Sequence, residues 1–68
     1  MIIELNGDRV ELADDARVAD AVARAGGDRG PRGVAVAVDG EVVPRAAWER
    51  LKLREDQKVE VVGAIQGG

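Results

Sequence analysis

The chain of 68 residues contains no cysteine, serine, threonine, histidine, tyrosine or phenylalanine. Acyl-transfer and hydrolytic enzymes take most of their nucleophiles and proton-transfer groups from thiols, hydroxyls and imidazoles. The chain therefore reads as a protein substrate and not as an enzyme. Without cysteine there is no disulfide and no thiolate metal site, and the pattern of small secreted domains is missing. Trp48 is the only aromatic residue and the net charge is −3, which serves neither base stacking nor phosphate neutralisation and argues against a nucleic-acid partner. No apolar stretch approaches the ~20 residues of a membrane-spanning helix. The opening Met1-Ile2-Ile3-Glu4 lacks the basic and apolar regions of a signal peptide, so the expected setting is the cytoplasm, with no membrane partner.

Two further absences concern ligands. The glycine-rich stretch from Gly26 to Gly33 does not end in the Gly-Lys-Ser/Thr that supplies a phosphate cradle with its lysine and magnesium ligand, so it reads as a connector. The acidic pairs Asp14-Asp15 and Glu55-Asp56 lack the ligand spacing of a calcium loop, and no metal is expected. Size sets the last limit. A chain of about 60 residues buries only ~60% of the surface its unfolded form exposes, which leaves no room for an enclosed catalytic cleft.

What is present is a clear alternation of patterns. Ile3 and Leu5 alternate with Glu4 and Asn6, a turn at Asn6-Gly7 or Gly7-Asp8 follows, and Val10 and Leu12 resume the period of two, which predicts a hairpin. Val18, Ala21, Val22 and Ala25 fall at i, i+3, i+4 and i+7 on one helical face, with Arg17, Asp20 and Arg24 on the wet side. The carboxylates of Asp14 and Asp15 are the expected helix caps, and Gly26-Gly27 is the expected stop. Residues 28–33 then read as the most mobile interior loop. Val34 to Val38, the Asp39-Gly40 turn and Glu41-Val42-Val43 predict a second hairpin, which Pro44 ends or confines to a sheet edge. Residues 45–53 predict a short helical turn that lays Trp48 and Leu51 against the sheet, with the indole as a core anchor. Residues 54–58 form a polar connection. A closing strand begins at Val59 and fades at Gly63.

A hairpin, one helix, a second hairpin and a closing strand share one core only if the helix crosses one face of a mixed sheet. The expected fold is α+β, a ubiquitin-like β-grasp of about five strands with one main helix and a short helical turn. Its first and last strands would be joined in the sheet's middle. Residues 1–63 form the domain and residues 64–68, Ala64-Ile65-Gln66-Gly67-Gly68, a flexible tail that at ~3.3–3.6 Å per residue extends roughly 20 Å from Gly63. Terminal glycines also arise by fraying or cloning. Here, with no other acyl acceptor of the Ser or Cys type, the Gly68 carboxylate is the candidate reactive group, since an unsubstituted Gly-Gly can thread a narrow partner site. The sheet face away from the helix, with Val62 and Ala64, is the candidate docking platform, and Arg45 after Pro44 is a further candidate contact.

The stretch from Val34 through Val38-Asp39-Gly40-Glu41-Val42-Val43-Pro44-Arg45, with Trp48 following, and the ending Val59-Glu60-Val61-Val62 with Gln66-Gly67-Gly68, resemble the ThiS family of small sulfur carriers of thiamin thiazole biosynthesis along nearly the whole chain. Asn6-Gly7 and Val18-Ala19-Asp20 match as well. Gly-Gly alone is common to ubiquitin-like carriers; the Val-Pro-Arg and tryptophan pairing is more specific. The resemblance implies that an E1-like, ThiF-like adenylyltransferase uses MgATP to adenylate Gly68. Sulfur from a cysteine desulfurase or another donor then makes a thiocarboxylate that a ThiG-like thiazole synthase consumes. Gly67, Gln66 and Ile65 would be read by those partners, and the chain itself would bind no cofactor. Arg17 stands where the family has a Ser or Thr cap before the helix. A MoaD-like molybdopterin sulfur carrier, a ubiquitin-like protein modifier and a non-reacting β-grasp interaction module are the alternative readings.

Overall fold

The computed structural model describes residues 1–26 and 33–63. The expected mobile loop lies almost wholly outside the described residues, as does the tail. Strands β1 (Ile2–Leu5) and β2 (Asp8–Glu11) form the first hairpin, helix α1 spans Val18–Arg24, β3 (Val34–Val38) and β4 (Glu41–Val42) form the second hairpin, and β5 is Lys58–Gly63. A short 3₁₀ turn, Arg45–Ala47, follows β4. The sheet order is β2-β1-β5-β3-β4, with β5 parallel to β1 and antiparallel to β3. The first and last strands therefore meet in the sheet's middle, and the arrangement is the β-grasp.

The turns follow from backbone chemistry. Asn6 and Gly7 have φ of +51° and +88°, and Asp39 and Gly40 have +51° and +85°, the paired left-handed residues of hairpin turns whose twist matches the flanking strands. Alternation then sorts the side chains. Ile3, Leu5, Val36, Val38 and Val59 face α1 and are buried with Val18, Ala21, Val22, Val43, Trp48 and Leu53. Trp48 is 7% exposed, and its Nε1 donates to the Val43 carbonyl at 3.0 Å, so the indole's polar atom is satisfied inside the core.

The start of α1 differs from expectation. Neither Asp14 nor Asp15 caps it. Asp14 instead accepts from the Met1 amino group at 2.9 Å, and the cap position is Arg17. The Asp20 carboxylate reaches back to accept the Arg17 N–H at 2.8 Å. The first helical N–H groups, of Val18 and Ala19, donate to the carbonyls of Leu51 and Trp48, each at 3.0 Å. Orphan donors at a helix start can be met by any fixed acceptor, and here the backbone after the 3₁₀ turn supplies them, so no hydroxyl cap is needed. The same contact half-buries Arg17, whose guanidinium donates to the Glu49 carbonyl at 3.0 Å; it is not on the wet side.

Two apolar placements are corrected with it. The helix ends at Arg24, so Ala25 is its exposed cap residue and Gly26, at φ +86°, completes the stop. Leu51 is 42% exposed, and Leu53 takes the buried place. The helical period from Trp48 does not continue, because the backbone straightens to pair Arg17 with Lys52, and the period of two puts Leu51 outside. Strand β5 begins one residue early at Lys58, and Gly63 still pairs with Val34.

Candidate functional site

Strand β5 is both the centre of the sheet and the segment that leads into residues 64–68, so the site is built around how its two ends are held. At its start, Asp39 accepts from the Lys58 N–H at 3.0 Å and from Gln57 Nε2 at 3.1 Å, while the Asp39 N–H donates to the Lys58 carbonyl at 2.7 Å. The Lys58 backbone bond and the Gln57 side-chain bond hold the Asp39 carboxyl below its usual value, because both favour the ionised form. At its far end β1 has run out, and Asn6 replaces it. The Val61 N–H donates to Asn6 Oδ1 at 2.8 Å and Asn6 Nδ2 donates to the Val61 carbonyl at 3.2 Å. A side-chain amide thus stands in for one residue of a neighbouring strand.

The outward residues of β5, β3 and β4 form the sheet's open face, away from α1. Register places Val62 beside Ala35, and Ala37 between Glu60 and Val42. Val62 is 58% and Val42 73% exposed. Valines point inward and alanines outward on β3, which leaves a shallow apolar surface flanked by Glu60. Val43 keeps the strand register by donating to the Val36 carbonyl at 2.9 Å, so Pro44 and the exposed Arg45 leave the sheet at the same end as Gly63.

Of the residues singled out from the sequence, Val62 and Arg45 are exposed at the end where β5 finishes. Ala64, Ile65, Gln66, Gly67 and Gly68 lie outside the described residues. The local pattern marks Asn6 and Asp39 as turn formers, and Ala35, Ala37 and Val42 as strand formers. The strict Val-Ala alternation of β3 was the available signal for its open face. No sequence pattern marks the two strand clamps. Among the described residues, no group of three or more acidic or metal-binding side chains is placed to hold a metal ion, and no helix is long and apolar enough to cross a membrane.

The described residues present a firmly held central strand and a shallow apolar face. A search of curated proteins found no match. Among solved structures the fold is similar to the crystal structure of the thiamine biosynthesis protein ThiS from Geobacter metallireducens, with a TM-score of 0.77 and 24% sequence identity over the full length of both chains. The model of the ThiS family matches residues 2–68, and the chain belongs to the ThiS family.

Proposed function

We propose that this chain is a sulfur carrier in thiamin biosynthesis and acts as a protein co-substrate, with Gly68 as its reacting residue. The observation that carries the reading is the family match, which spans residues 2–68 and so takes in Gln66-Gly67-Gly68 together with the folded domain. In the proposed cycle the Gly68 carboxylate attacks the α-phosphorus of MgATP on an E1-like adenylyltransferase and pyrophosphate leaves. The acyl-adenylate so formed has a good leaving group in AMP. The outer sulfur of a desulfurase persulfide attacks the acyl carbon and AMP leaves, giving an acyl disulfide. A second thiol then attacks its S–S bond, is oxidised to a disulfide with the donor's sulfur, and releases the thiocarboxylate that is spent on a thiazole synthase. The absence of cysteine supports this chemistry, since no internal thiol can intercept the acyl-adenylate.

Residues 64–68 serve in this reading as the arm that enters each partner. Gly67 and Gly68 pass a narrow channel without side chains, and Gln66 and Ile65 offer the first groups a partner can recognise. The open face with Val62, and Ala64 beyond it, serves as the docking platform, with Arg45 at its margin. A cognate E1-like enzyme with MgATP is expected to convert the chain to a carrier-AMP adduct visible by mass. Deleting Gly68, or widening the tail with Gly67→Val, is expected to abolish the adduct. Adduct formation at the parental rate by either variant would refute the reading.

A further inference from the structure

The rims of the sheet are unequal. Strand β4 has only Glu41 and Val42 and runs into Pro44, whereas β2 presents Asp8–Glu11 along the opposite edge. Met1 and Leu12 exchange backbone bonds at 2.8 and 2.9 Å, which makes them a hydrogen-bonded pair. Such pairs alternate along an antiparallel ladder with pairs that are not bonded to each other. Val10 and Asp8 therefore bond inward to β1, while Arg9 and Glu11 turn their N–H and C=O groups outward. Their opposites agree. The Glu4 N–H donates to the Gln57 carbonyl at 2.9 Å, and the Ile2 carbonyl accepts from Asp56 N–H at 2.7 Å, both away from β2.

We propose that two copies of this chain join edge to edge through β2, antiparallel, with Val10 opposite Val10 of the second copy and Arg9 opposite its Glu11. The symmetric contact is isologous. In this register Arg9 and Glu11 are the bonded pairs, so each outward N–H and C=O finds a partner, and opposite charges face each other across the new ladder. Centring the pair on Arg9 or on Glu11 would oppose like charges. Shifting by a single residue would set outward groups against inward ones and turn the side chains to the wrong face.

The charges continue a row that the sheet already has. On the open face Lys58 lies opposite Glu4, and Glu4 opposite Arg9; Glu11 of the second copy extends the alternation of sign. Edge charges commonly deter association, but that works through mismatch, and this pattern matches itself. The contact involves few residues, far below the ~1,600 Å² of a standard interface, so the dimer is weak and concentration-dependent. It leaves Val62 and the end of β5 uncovered, two strands away.

Sedimentation equilibrium of the full chain over a concentration series tests this, alongside Arg9→Glu, Glu11→Arg and the double exchange. Both residues are exposed, and thermal melting checks that each variant folds. The parent's average mass is expected to climb toward that of a dimer as the concentration nears about a millimolar. Either single reversal places like charges at both symmetry-related pairs and weakens association about tenfold or more, and the double exchange restores it to within about threefold. Amide exchange of the unaltered chain gives a second readout: the Arg9 and Glu11 N–H groups slow as concentration rises, and that of Val10 does not change. A parent that stays monomeric overturns the proposal. So do single variants that associate like the parent, or a double variant no better than the singles. Protection of Arg9 and Glu11 that arises only on adding a different protein overturns it too.

Discussion

Asp39 holds the start of β5 through its carboxylate, and that hold is charge-dependent. Its carboxyl ionises below the usual value in the folded chain, chiefly through the Lys58 backbone bond, so the unfolded chain binds more protons between that lowered value and the ordinary carboxylate range. Stability is therefore fully present above that range and is lost as pH falls through the folded value. Asp39→Asn tolerates the same positive φ, which isolates the charge. Melting temperatures of parent and variant should differ most at neutral pH and converge toward the acid end; a gap that stays constant would contradict the assignment. Asn6 acts at the other end of the strand. Asn6→Gly keeps the left-handed turn and removes both bonds to Val61, with an expected loss of about 1 kcal/mol and faster exchange of the Val61 amide. Unchanged exchange at Val61 would show that the clamp carries nothing. The sequence announced both residues as turn formers, because left-handed Asn-Gly and Asp-Gly pairs have a local signature. Their reach to residues 18 to 55 positions away leaves no local trace.

Hydrophobic period made the strands, the helix and their order readable, down to the central pairing of β1 with β5. The apolar face of α1 was legible for Val18, Ala21 and Val22, all buried, and not for Ala25, because the helix stops one residue earlier. Its start was illegible. The acceptors for the Val18 and Ala19 N–H groups belong to Leu51 and Trp48, and a cap supplied by distant backbone writes nothing into the residues beside it. Leu51 was misplaced for the same reason, since that backbone contact straightened the segment. On the open face, the outward position of Val62 followed from the period of two, while its neighbours Ala35, Ala37 and Val42 required the strand order. Val62→Asp tests that face. The side chain is largely solvated, so the domain should lose no more than about 1 kcal/mol, while adenylation by the cognate E1-like enzyme should fall about tenfold or more from burying an unpaired charge. Full adenylation with a native melting curve would place the platform elsewhere.

For the molecule as a whole, composition excluded more than it specified, and the exclusions directed attention to the carboxyl-terminal glycines. The folded part is one small core without a disulfide, in which the satisfied indole of Trp48 and the aliphatic residues of the helix and of β1, β3 and β5, with Val43 and Leu53, do the work of burial. Among the described residues no polar or charged side chain is buried in that core, and both clamps bear on the strand that leads to the tail. Family membership supports a carrier whose chemistry is performed by its partners, and the acyl state of Gly68 is the central claim. The intact mass of the chain isolated from cells that make thiamin reads that state directly. The account predicts a population in which one oxygen of the terminal carboxylate is replaced by sulfur, absent when the E1-like enzyme is missing. A chain that carries only the plain carboxylate, in cells actively making the thiazole, would contradict it.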